Sequence, residues 1–215
     1  MQERISSIRY QGMKTESKAL RTWAGITDIH VTHAEKWLSA IGGLLGILCI
    51  VSISQAQLGL AGSTSIIASM GATAVLLFAV PHGPLSQPWP VFGGHVVSAI
   101  IGVACSQWIP LPALAAAVAV AVAITTMHYL RCIHPPGGAT ALSAVVGGDA
   151  VHQLGFQFVL TPVALNAMTI LAVAFVFNAP FVWRRYPVAW APNGNTRRLR
   201  GDPVDDESLT EAKDE

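Results

Sequence analysis

The chain has 215 residues, of which 52% are hydrophobic and 12% charged, with a formal net charge of +1. That length suits one domain of several helices and no second folded module. Without a basic stripe there is no surface for nucleic acid, and so little charge excludes an ordinary hydrated protein surface.

Charge is also unevenly placed. Between Trp37 and Trp183 the only formally charged side chains are Arg131 and Asp149. In lipid each Asp, Glu, Lys or Arg within a spanning helix costs several kcal/mol. The 37–183 region is therefore expected to be an all-α membrane domain. Cys49, Cys105 and Cys132 are dispersed, which argues against a disulfide framework or a thiolate zinc site.

Residues 1–36 are mixed and polar, unlike a secretory signal, and are expected to be a cytoplasmic segment. The stretch from Lys18 to Trp37 suits an interfacial helix with Leu20, Trp23, Ile26 and Ile29 on its apolar side. About six hydrophobic segments follow, some short or broken, with re-entrant segments an option. The first, 37–54, is long enough to cross. The second, 62–80, starts small and polar and ends apolar. The third, 92–109, follows Trp89 and ends beside Trp108, as at an aromatic belt. The fourth, 113–130, begins after Pro110-Leu111-Pro112. The fifth, 136–148, is too short to span comfortably. The sixth, 158–179, is closed by Pro180 and a cationic stop at Arg184-Arg185. Residues 184–215 read as a disordered cytoplasmic tail, rich in proline and then acidic.

Six Lys and Arg precede Trp37, six follow Trp183, and Arg131 lies between. The positive-inside rule then puts both termini in the cytoplasm. Six crossings would set Arg131 inside and Asp149 outside. A faint repeat agrees: Gly71-Ala72-Thr73 resembles Gly138-Ala139-Thr140 at an offset of 67. Three segments per half would make an inverted repeat, an architecture used by transporters. Similarity by chance among Gly/Ala-rich helices is the alternative.

The sharpest motif is His134-Pro135-Pro136-Gly137-Gly138-Ala139-Thr140. Prolines cannot continue a preceding helix but can open a new one. The glycines would bare the backbone N–H groups of 137–140 at the positive end of the helix dipole, an anion cradle if placed at membrane depth. A plain loop at the membrane surface is the competing explanation.

The stretch HPPGGATAL, 134–142, resembles the signature of the HPP family of integral membrane proteins. Residues 70–103 are similar to that family's other shared block. The family is usually described with four or more spans. Plastid and cyanobacterial members are implicated in nitrite transport, so the resemblance implies a transporter or channel for a small inorganic anion, nitrite foremost, and not an enzyme. It would work in a bilayer, expected to be a bacterial inner (plasma) membrane, as a homo-oligomer and without a cofactor.

The candidate substrate-binding residues are His134 to Thr140, with Gly71, Ala72, Thr73, His82 and Arg131. Each threonine could instead bond its own helix carbonyl. His82 and His134 sit in the two matching motif blocks, while His95 and His128 lie at segment ends. Arg131 would attract the anion at the cytoplasmic mouth, or else bind lipid phosphate or cap a helix. Asn166 suits glue between helices, and Asp149 an outer rim. Two other functions stay open: a histidine-based haem or metal redox protein, and a structural or regulatory membrane subunit.

Overall fold

A computed structural model describes residues 21–25 and 31–191, with side chains described outside 57–65. All regular structure among the described residues is helical. The chain divides into two units, Met1–Glu35 and Lys36–Glu215. In the first, residues 21–23 form a helical turn, with the Gly25 N–H donating to the Thr22 carbonyl at 3.1 Å. Residues 31–32 are not helical. The interfacial helix expected over 18–37 therefore does not run unbroken, and Leu20, Ile26 and Ile29 lie outside the described residues. A new helix starts instead at Thr32, whose Oγ1 accepts the Glu35 N–H at 3.2 Å. Thr-x-x-Glu is a capping-box sequence, which explains a start four residues before Trp37.

The second unit contains the apolar helices. Helical backbone extends over His33–Ala79, within which lie two apolar helices, α1 (His33–Ala56) and α2 (Ile66–Ala79). A single straight rod would separate Gly42 from Phe78 by about 54 Å. Yet these two residues are in contact, and Ser39, Gly43 and Ile47 line one groove with Gly71, Ala74 and Phe78. The halves are antiparallel neighbours.

Helices α3 (Pro88–Trp108), α4 (Pro112–Tyr129) and α5 (Pro135–Val146) each carry proline in the first turn. There the missing N–H costs no helical bond. One turn, α6 (Asp149–His152), leads to α7 (Leu165–Asn178). A wide turn over Val159–Ala164 precedes α7 and bends at Thr161, which is extended (φ −134°, ψ 113°) before Pro162. The proline ring disfavours helical backbone in the residue before it.

Among the described residues, four helical stretches are long and apolar enough to cross a membrane: His33–Ala56, Pro88–Trp108, Pro112–Tyr129 and Val159–Asn178. Helix α5 has 12 residues and extends only about 18 Å, against a hydrocarbon core of about 30 Å. The six segments of the sequence correspond to helices α1–α5 and α7, with α5 too short to span. Trp37, Trp108 and Tyr129 are exposed at helix ends, as in an interfacial belt.

Small residues set the central packing. Gly94, Ser98 and Gly102 recur every four residues on α3 and meet α5. A Cβ on Gly94 would stand 2.6 Å from the His134 Cβ, and one on Gly137 would stand 2.8 Å from the Gly94 carbonyl. Ala115, Ala119 and Ala123 make a similar stripe on α4, in one buried cluster with Ala141. Such stripes let backbones approach where lipid supplies no hydrophobic drive.

The end of α7 corrects two expectations. Arg184 is not solvated as a stop charge would be, while Arg185 is exposed. Arg184 is 1% exposed and clamps three helix ends. Its Nε donates to Asn178 Oδ1 at 3.1 Å, one terminal nitrogen to Ser39 Oγ at 3.3 Å, and the other to the Phe78 carbonyl at 2.6 Å. That carbonyl belongs to the last turn of α2, where the dipole favours a cation. Nor is the tail free from residue 184. Tyr186 is buried, donates to the Ser86 carbonyl at 2.7 Å and packs edge-on against Phe175. Burial pushes its phenol pKa up. Val188 N–H donates to Gln87 Oε1 at 3.0 Å. Residues 184–191 are thus part of the fold, and the rest of the expected tail lies outside the described residues.

Candidate functional site at the junction of α2, α3 and α5

Five polar side chains meet where α2, α3 and the start of α5 cross: Ser69, Thr73, His95, His134 and Thr140. All five are 0% exposed. They form a continuous chain of contacts. His134 Nδ1 lies 2.9 Å from the Leu85 carbonyl, and His134 Nε2 lies 3.0 Å from Thr73 Oγ1. Thr73 Oγ1 lies 2.8 Å from His95 Nε2. His95 Nδ1 lies 2.7 Å from Thr140 Oγ1. Thr140 Oγ1 lies 2.7 Å from Ser69 Oγ, which lies 2.8 Å from the Pro136 carbonyl. The two imidazoles meet edge-on, their centroids 4.9 Å apart.

Local sequence explains the convergence. His134 has extended backbone (φ −142°, ψ 103°) as the residue that begins α5, the conformation that a following proline imposes. This turns its ring back toward α2 and α3. Gly94 lets that ring's Cβ reach α3. Ser69 and Thr73 are four apart on α2 and share a face.

The donors at the start of α5 are fewer than the motif suggested. Pro135 and Pro136 have no N–H, and the Gly137 N–H already donates to the His134 carbonyl at 2.8 Å. Of the N–H groups expected over 137–140, that of Gly137 is therefore already engaged. What gathers here is side-chain hydroxyl and imidazole.

The sequence candidates separate accordingly. His134, Thr73, Thr140 and the Pro136 carbonyl belong to the chain. Gly137 is a packing contact against α3, while a Cβ on Gly138 would meet nothing within 4 Å. Pro135, Ala72 and Ala139 face outward, and Gly71 lines the groove between α1 and α2. His82 sits half-buried in the turn after α2. The histidine that shares a hydroxyl with His134 is His95. Its visible signal was Gly93-Gly94-His95 with Ser98 and Gly102, a run of small residues around one polar side chain.

Arg131 is exposed in the turn before α5, and Asp149 is exposed beyond its other end. Arg131 has φ 54°, a left-handed conformation that favours glycine. It caps α4: its N–H bonds the His128 carbonyl at 3.2 Å, and the Cys132 N–H bonds the Met127 carbonyl at 2.9 Å, a Schellman ending. Trp89 Nε1 also donates to the Leu130 carbonyl at 3.0 Å. Asn166 is interhelical glue in part, with Nδ2 donating to Ser54 Oγ at 2.7 Å.

The two matched blocks meet at one residue. Thr73 and Thr140, 67 apart, bind the two nitrogens of His95. Burial runs in step along 71–75 and 138–142: half-buried, exposed, buried, buried, exposed. Helices α2 and α5 end at Ala79 and Val146, again 67 apart.

Comparison with known proteins gives a membrane-protein family. The HPP transmembrane region matches residues 29–187. Among similar proteins are two transmembrane proteins of Dictyostelium discoideum. One is 37% identical over 161 residues, covering 72% of this chain and 50% of that protein. The other is 35% identical over 158 residues, covering 72% of this chain and 54% of that protein. The chain thus spans about half the length of these relatives. No solved structure matches. The match over most of its helices makes this chain a member of the HPP transmembrane family.

Proposed function

We propose that this protein carries a small inorganic anion, nitrite first among candidates, across the membrane through the junction of α2, α3 and α5. The observation that carries the proposal is the buried chain of hydroxyls and imidazoles. Polar groups in a lipid-embedded core are costly and tend to mark pathways. Among the described residues no recorded hydrogen bond or ion pair joins a carboxylate to this chain, and Asp149 is exposed beyond the far end of α5. Uncharged donors suit an ion that must leave as readily as it enters. The meeting of Thr73 and Thr140 on His95 supports a repeat of three helices per half, inverted in the membrane as in many transporters.

In this reading six helices place both termini in the cytoplasm, Arg131 steers the anion at the inner mouth, and the protein works as a homo-oligomer in a bacterial plasma membrane. A haem or metal centre on these histidines would first have to displace hydroxyl or carbonyl partners from both rings.

Reconstituted protein should take up nitrite into liposomes faster than protein-free liposomes do, with nitrate, chloride and formate as comparators. Gly138→Val should fold normally, since the added side chain meets open space. It should nevertheless lower flux about tenfold, on the order of 1.4 kcal/mol, if the anion approaches along that face. No anion flux from folded wild-type protein would remove the transport reading and leave a structural or regulatory subunit. Normal flux in Gly138→Val would move the path to another face of α5.

A further inference from the structure

The buried chain has fewer protons than links. It begins at one carbonyl, Leu85, and ends at another, Pro136, and neither can donate. Six contacts of 2.7–3.0 Å join them through His134, Thr73, His95, Thr140 and Ser69. Each contact needs one proton. Five neutral side chains supply one each, because a neutral imidazole has one N–H and a hydroxyl one O–H. The weaker approaches of Thr73 to the Ser69 carbonyl (3.3 Å) and of Thr140 to the Pro136 carbonyl (3.4 Å) add acceptors and no donors. Changing a tautomer only moves the deficit along the chain. One added proton completes every link.

We infer that this chain is a binding site for one proton, shared between His95 and His134, and that the proton enters together with the transported anion. The coupling follows from solvation. A lone imidazolium at a fully buried site is destabilised far more than one hydrogen bond returns. An anion beside it supplies the opposite charge, so each ion makes the other's entry favourable. Among the described residues, none of the groups in contact with the chain would supply that charge permanently. They are Leu85 and Pro136 carbonyls, Ser69 and Thr73 from α2, Ser98 from α3, Met127 from α4, Thr140 from α5 and Cys132 from the preceding turn. Burial raises the Cys132 thiol pKa and keeps it neutral.

This inference rests on the anion reading and adds an electroneutral proton–anion symport. With the proton, the chain hydrogens would read Leu85 O from His134, Thr73 from His134, His95 bonded to both threonines, then Thr140 to Ser69 to Pro136 O. No covalent bond forms or breaks beyond the N–H gained on entry and lost on release.

The test uses full-length protein in liposomes loaded with a pH-sensitive dye, with nitrite added outside at neutral pH under valinomycin–potassium clamp. About one proton should enter per nitrite, at a rate indifferent to membrane potential. Thr73→Val is the informative variant. It deletes two links and one proton, leaving four links with four protons, so the deficit disappears. Nitrite still moved by this variant should carry protons at less than a tenth of the wild-type ratio. If wild-type nitrite moves without protons and responds to voltage, the proton site is wrong and the anion reading survives. If folded wild-type protein moves no nitrite, both fall. If Thr73→Val fails to fold, the wild-type ratio alone decides.

Discussion

Two buried polar clusters hold this bundle together, and they obey different arithmetic. At the end of α7, the Arg184 guanidinium donates to Asn178, Ser39 and the Phe78 carbonyl. It has a permanent charge and acceptors drawn from three helices, so it has one satisfied arrangement and acts as a staple. At the α2–α3–α5 junction, imidazoles and hydroxyls link two carbonyls with one proton too few. That cluster has several nearly equivalent arrangements. A saturated cluster fixes structure, while an unsaturated one can respond to an ion. On the proposed function, the contrast separates stability from transport in this fold.

Mutations should break the contrast in order of size. Arg184→Met should lower stability most, by about 3 kcal/mol, because it leaves buried acceptors on three helix ends without their donor. Thermal unfolding in detergent reads this, and Arg184→Lys should rescue little, since an ammonium cannot reproduce the fork. Gly94→Val comes next, at about 1–3 kcal/mol, because its side chain would enter the space of His134. In the same assay Gly138→Val should lie within about 0.5 kcal/mol of wild type, since it is an open position. Arg131→Gly should be small and of opposite sign. Relief of the left-handed backbone should stabilise by about 0.5–1 kcal/mol, while nitrite flux falls mainly at low ionic strength, as expected of a lost steering charge.

Much of the scaffold was legible because it depends on local chemistry. Pro88, Pro112 and Pro135 mark the starts of α3, α4 and α5 wherever the chain goes afterwards. Thr73 and Thr140 could be paired by their shared Gly-Ala-Thr context, and they do meet, through His95. Sequence reasoning passed over His95, which joins His134 through Thr73, because motif position says nothing about helix rotation. His95 lies inside α3 on the glycine face, and that face is known only once α5 packs there. The N–H cradle is narrowed for a local reason: the Gly137 N–H already bonds the His134 carbonyl inside the first turn. Arg184 looked like a surface stop because sequence shows its charge and not the three helix ends that converge on it.

The most direct measurement compares nitrite flux per folded molecule for Thr140→Val and Arg184→Met in the same liposomes. Thr140 is part of the proton-deficient chain, and Arg184 is part of the staple. The account predicts at least a tenfold loss of flux for Thr140→Val with its unfolding temperature little changed. It predicts near-normal flux per folded Arg184→Met molecule despite a clear fall in that temperature. Equal flux from folded Thr140→Val and wild type would contradict it, and the junction of α2, α3 and α5 would then be a second staple.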